Sequence, residues 1–180
     1  GHLDVVRFLI EHGANIEASD QDGCTSLYRA SQYGHLDVKF LIEHGADVND
    51  SDKEGHTSLY CASEYGRLEV VKFLIEHGAE VNASDKDGQT NLSIASQRGH
   101  RDVVKFLIEH GADTNASGEH GQLNQPSKIA CEEDHLDVVK FLVEKGVNIN
   151  ARCMYKPSEL PVYAYPNPRN RRKHLRPHRF

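Results

Sequence analysis

The chain has 180 residues and a mass of 20.2 kDa, room for one compact domain or one short array. Hydrophobic residues make up 38% and charged residues 27%, an ordinary soluble balance, and no apolar run approaches the ~18 residues of a membrane span. The net charge is −6, and the four cysteines (Cys24, Cys61, Cys131 and Cys153) lie far apart without a C-x-x-C pair, which argues against a zinc site or disulfide framework and for free thiols in a reducing, intracellular compartment.

From its first residue the chain repeats itself. "GHLDVVRFLIEHGANIE" (1–17) returns as "HLDVKFLIEHGADVN" (35–49), "LEVVKFLIEHGAEVN" (68–82), "RDVVKFLIEHGADTN" (101–115) and "LDVVKFLVEKGVNIN" (136–150). The glycine that closes each copy recurs at Gly13, Gly45, Gly78, Gly111 and Gly146, a period of about 33 residues. Such a period indicates a solenoid, whose units bury their apolar faces only against one another. The divisions expected are a partial unit at 1–21, units at 22–53, 54–86 and 87–117, and a degenerate, cap-like unit at 118–151. Gly1 falls in mid-repeat and no Met opens the chain, so the sequence reads as a piece of a longer protein.

Within a unit the predicted elements follow from residue chemistry. "TSLYCASEYG" (57–66) reads as a first helix, with Thr57 as its cap, small Ala62 and Ser63 inside it and Gly66 as its stop. "RLEVVKFLIEHG" (67–78) reads as a second helix, with Val70, Val71, Leu74 and Ile75 on one face. "AEVNASDKDG" (79–88) has the Asn, Asp, Ser and Gly content of a tight, hairpin-like connection. The copy at 35–49 lacks one valine. If "KFLIEHG" keeps its place there, Asp37 moves into the slot of a buried valine. That predicts a second helix that starts late or distorted, with Leu36 still packed inward.

"DGCTSLYRAS" (22–31), "EGHTSLYCAS" (54–63) and "DGQTNLSIAS" (87–96) resemble the D-G-x-T-P-L-H-x-A-A opening of ankyrin repeats, and the second-helix copies resemble that family's other half. The resemblance covers residues 1 to about 151 and implies an all-α ankyrin-repeat solenoid, stacked helix-turn-helix units joined by β-hairpin-like loops. It also implies a non-enzymatic scaffold or adaptor that binds a partner protein through its concave face. The departures are consistent. Ser26, Ser58 and Asn91 replace the proline, and Tyr28, Tyr60 and Ser93 replace the histidine that in this family braces neighbouring loops. The fifth unit carries two extra residues, Ser127 in the leucine slot, Lys128 in the histidine slot and Asp134 in place of the glycine between helices.

After Ala151 the composition changes. Residues 152–180 hold five of the six prolines and eight Lys or Arg against one acid, so they carry +7 and the repeats −13. Such a segment is expected to be disordered. "RNRRKHLRPHRF" (169–180) offers an alternative function, as a nuclear localisation signal or a contact to nucleic acid or anionic membrane. The plainer reading, a solvated tail or intron read-through, is preferred. A regulatory array within a larger multidomain protein is the other alternative.

No catalytic constellation emerges, and no cofactor or metal is implied. Most of the twelve histidines occupy two repeat slots, "EHG" and "GH", and equivalent slots stand a full repeat apart, too far to converge on one ion. They are expected to serve helix ends. "HRD" at 100–102 lacks the asparagine that a kinase catalytic loop would need at position 107. The Asn-x-Ser matches at Asn49, Asn82 and Asn115 are the turn asparagines of the repeat, expected to tie loop backbone; Asn91 gives a fourth match.

Binding candidates are the slots that vary while the framework repeats. At the loops these are Gln21, Asp22 and Cys24, then Lys53, Glu54 and His56, then Lys86, Asp87 and Gln89. At the end of the first helix they are Gln32 and Tyr33, Glu64 and Tyr65, and Gln97 and Arg98. By the resemblance these slots line the partner-binding face, and Tyr33 and Tyr65 are expected to stand side by side as a contact patch. A monomer in the cytoplasm, or in the nucleus if the basic segment is a signal, completes the expectation.

Overall fold

The computed structural model describes residues 3–35, 37–115 and 125–147. Nine helices are found among them: α1 (Leu3–Glu11), α2 (Ser26–Tyr33), α3 (Asp37–Glu43), α4 (Ser58–Glu64), α5 (Leu68–Glu76), α6 (Asn91–Gln97), α7 (Arg101–Glu109), α8 (Pro126–Glu132) and α9 (Leu136–Glu144). Even-numbered helices stack on one another as an inner row and odd-numbered ones form an outer row, each inner helix packing on the outer helix that follows it. This is an all-α repeat solenoid. The basic segment 152–180, and with it every reading of 169–180, lies outside the described residues, as do the ends of the fifth unit.

Each inner helix starts where a threonine can cap it. Thr25, Thr57 and Thr90 are extended, and their hydroxyls accept the backbone N–H of Tyr28, Tyr60 and Ser93. In the fifth unit Gln125 gives no side-chain cap, and Pro126 opens α8 with its fixed φ. Leu27, Leu59 and Leu92 fill the core from the inner row, and Val71 with Leu74, Val104 with Leu107 and Val139 with Leu142 fill it from the outer row. Each such side chain contributes about 1.5–3 kcal/mol by leaving water. Ser127 is buried in the leucine slot of the fifth unit and brings none of that apolar area.

The loops are built by one device used three times. Asp20 Oδ1 accepts the N–H of Asp22 and Cys24, Asp52 Oδ1 those of Glu54 and His56, and Asp85 Oδ1 those of Asp87 and Gln89. Each loop closes with an antiparallel bridge: Ser19 to Thr25, Ser51 to Thr57 and Ser84 to Thr90. Neighbouring loops then join, since Lys53 N–H donates to Asp22 O and Lys86 N–H to Glu54 O.

Units are also tied at the glycines between helices. His100 Nε2 bonds the Glu64 carbonyl at 2.9 Å and His135 Nε2 the Gln97 carbonyl at 2.8 Å, while Arg67 Nε donates to the Gln32 carbonyl. A Cβ at Gly66 would fall 2.6 Å from the His100 ring, and φ there is +65°, so both space and backbone demand glycine. The "EHG" histidines serve helix ends as expected: His12, His44, His77 and His110 each pack their ring against the phenylalanine four residues earlier, with Nδ1 on its carbonyl. The turn asparagines do more than close their own loops. Asn49 and Asn82 each donate to the carbonyl of the next unit's closing glycine, Gly78 and Gly111, and accept the N–H of Glu80 and Asp113.

Helix α3 has seven residues where α1, α5, α7 and α9 have nine. Leu36, on which the expected late start and inward packing turn, lies outside the described residues. Val38 N–H bonds His35 O at the start of the helix. Asp37 does occupy the valine slot, where it is 7% exposed. The free thiols expected need a correction: Cys24 and Cys61 are free, but Cys131 is disulfide-bonded.

Candidate functional site

Each loop leads into the start of an inner helix, and the varying slots lie at the loop tips and, about two turns on, at the ends of those helices. Tyr33 is 60% exposed and Tyr65 43% exposed, a large aromatic left in water at the end of α2 and again at the end of α4. Gln32 Nε2 donates to Tyr65 Oη at 3.1 Å, so the second tyrosine is held by the unit before it. Arg98 meets Glu64 at 2.6 Å, again across a unit boundary. That hydrogen bond to Glu64 raises the pKa of the Arg98 guanidinium. Gln97 Oε1 accepts from Gln89 Nε2 and completes the row.

The loop candidates divide. Gln21, Asp22, Lys53, Glu54, Lys86 and Asp87 are exposed at the tips, with Lys53 Nζ donating to the Gln21 carbonyl. Cys24 is not a surface residue. It is 7% exposed, and burial raises its thiol pKa, which corrects the expectation that it faces a partner. His56 is half-buried and structurally engaged: Nδ1 meets Asp52 at 3.1 Å, Nε2 meets Asp85 of the next loop at 3.5 Å, and the ring stacks on Tyr60. Gln89 is likewise engaged, accepting from Tyr60 Oη at 2.9 Å. Tyr60 therefore ties its own helix to the following loop, a bridging bond made from the slot where the resemblance expects histidine. Tyr28 is half-buried and extends toward Cys61 of the next unit, and burial raises its hydroxyl pKa.

Arg29 was not among the candidates. Its guanidinium binds Asp20 at 2.8 Å and Gln32 Oε1 at 3.3 Å, and the Arg29 hydrogen bond is the main reason Asp20 titrates below its ordinary value. A signal for it exists, since the slot reads Arg29, Cys61 and Ile94 in successive units and so varies like the others.

The model for "Ankyrin repeats (3 copies)" matches residues 1–85 and 80–153. The chain belongs to the ankyrin repeat family. Ankyrin repeats are in general protein–protein interaction modules and typically non-enzymatic scaffolds.

Proposed function

We propose that this ankyrin array is a non-catalytic adaptor that holds a partner protein on its concave face, between the loop tips and the ends of α2, α4 and α6. The observation that carries this reading is the pair of tyrosines left in water at equivalent ends of consecutive inner helices. Tyrosine offers a large apolar face, few rotors to freeze and a hydroxyl, the properties that make it common at binding hot spots. Tyr65 is already oriented by Gln32, so less freedom is lost when a partner docks. Around the tyrosines Asp22, Glu54 and Glu64 stand beside Lys53, Lys86 and Arg98, a mixed rim that suits a segment with both apolar and charged side chains.

The test uses a partner captured from a native extract with the full chain. The double substitution Tyr33→Ala and Tyr65→Ala is expected to weaken that complex by about 2–4 kcal/mol. The melting temperature of the free protein should stay nearly constant. Unchanged affinity with melting preserved would place the partner elsewhere, and a large loss of stability would assign the tyrosines to the stack.

A further inference from the structure

The slot after the loop glycine reads Cys24, His56 and Gln89 in successive units. At the middle one an imidazole lies between two carboxylates. Nδ1 is 3.1 Å from Asp52 Oδ2 on its own loop, and Nε2 is 3.5 Å from Asp85 Oδ2 on the next. Both acids are fixed in place. Each gives its Oδ1 to two backbone N–H groups, and their side chains are only 9% and 7% exposed. The loops at 51–57 and 84–90 are therefore bridged by one ring, in the interior of the array, with a repeat on either side.

The groups around the ring leave the charge to be supplied by His56 itself. Tyr60, stacked on it, is uncharged: burial first, and the Asp85 carboxylate second, raise its hydroxyl pKa, and the hydroxyl donates to Gln89. Lys53 Nζ is turned to the Gln21 carbonyl, and Arg98 is taken by Glu64. Among the described residues no lysine or arginine pairs with Asp52 or Asp85. A neutral imidazole has one N–H and one lone pair, so one of its nitrogens would turn a lone pair toward a carboxylate oxygen. With a second proton both nitrogens donate, each to an ionised acceptor.

We propose that His56 is a proton-operated clasp between these two loops. With one proton the ring bonds one aspartate; with two it bonds both and ties one unit to the next. The second proton is held by the closed pair of loops better than by the open one, so closure gains as pH falls and is lost as pH rises. The clasp is confined to one boundary, because Gln89 does not titrate and burial raises the thiol pKa of Cys24. The inference goes beyond the concave-face reading and stands without it.

The experiment compares two amides of the full chain by hydrogen exchange in NMR. Lys86 N–H donates to the Glu54 carbonyl and joins the loops that His56 bridges, while Lys53 N–H donates to the Asp22 carbonyl and joins the loops at Cys24. Each rate is divided by that of an unstructured peptide at the same pH. Between about pH 8 and about pH 5.5 the protection of Lys86 is expected to rise about fivefold, and that of Lys53 to change less than about twofold. His56→Gln, which installs the residue type of the next unit, should abolish the rise at Lys86. If that variant does not fold, Asp85→Asn is read in its place with the same expectation, since it keeps Oδ1 for the Asp87 and Gln89 amides and removes the charge. A Lys86 amide no better protected in acid, equal rises at both amides, or a rise that persists in the variant would each overturn the proposal.

Discussion

Three buried serines show how single atoms set the stability of this array. Ser31, Ser63 and Ser96 occupy the same slot in α2, α4 and α6, each is 0% exposed, and none of their hydroxyls has a hydrogen-bond partner among the described residues. A buried hydroxyl without a partner keeps its desolvation cost. Ser63→Ala is therefore expected to stabilise the protein by about 1 kcal/mol in urea unfolding, the opposite of the usual sign for a core substitution. Cys61 illustrates a second residue-scale effect. Burial pushes its thiol from an ordinary 9.0 up to about 12. The folded state thus holds a proton that the unfolded chain gives up above pH 9. The stability from the neutral buried thiol is complete below pH 9 and is lost as pH rises toward 12. Two measurements check this. Iodoacetamide at pH 8 should leave Cys61 unmodified until the protein is unfolded, and Cys61→Ala should flatten the fall in melting temperature between pH 9 and 11.

At the scale of the element, the glycines between helices separate backbone strain from contact. Gly66 and Gly78 both have positive φ, +65° and +92°, but a Cβ at Gly66 would strike the His100 ring while one at Gly78 would meet nothing within 4 Å. Gly78→Ala should cost about 1–2 kcal/mol for the left-handed backbone alone. Gly66→Ala should cost about 1 kcal/mol more, because it also displaces the imidazole from the Glu64 carbonyl. Equal losses in thermal melts would show that the His100 contact contributes nothing. Helix α3 gives a matching test, since inserting Val after Val38 restores the missing residue and should raise the melting temperature. These elements were legible in the sequence because cap, apolar stripe and stop recur in each copy, and a periodic pattern states its own phase. The burial of Cys24 and the clamp on His56 were not legible, for a physical reason. The clamp depends on what the next unit places against the loop, Asp85 beside His56, 29 positions on. The exposure of Tyr33 and Tyr65 was legible because variation between copies marks a slot that packing does not dictate. By the same criterion the Arg29 slot also varies.

Taken as a whole, the array is held by contacts between neighbouring units, so each helix should be protected in proportion to the neighbours that cover it. Helix α1 has no buried residue, and its Val5, Phe8 and Leu9 are 56%, 58% and 50% exposed, while the same slots in α5 and α7 face a packed neighbour on each side. Hydrogen exchange should therefore be fastest in α1, intermediate in α9 and slowest in α4 to α7, with differences of at least about 2 kcal/mol between α1 and α5. Uniform protection along the chain would mean that the array opens only as one cooperative block.

The shortened α3 has a further consequence, which concerns errors in copying. In a coiled coil or a sheet, losing one residue throws everything beyond it out of phase. Here the disturbance ends within the helix that suffers it. By Lys39 the outer helix has regained its pattern, and at the following loop Asp52 gathers Glu54 and His56, and Lys53 grips Asp22, as though nothing were missing. Each loop is an anchor that sets the reading anew for the unit after it. A gene for such a chain can lose or gain a codon in one outer helix and pass on the remaining units intact, so that a deletion changes a single position in the wall, here valine to aspartate, instead of scrambling the fold. Mutations of a kind ruinous in most architectures become, in this one, a way to try a new side chain at a single position.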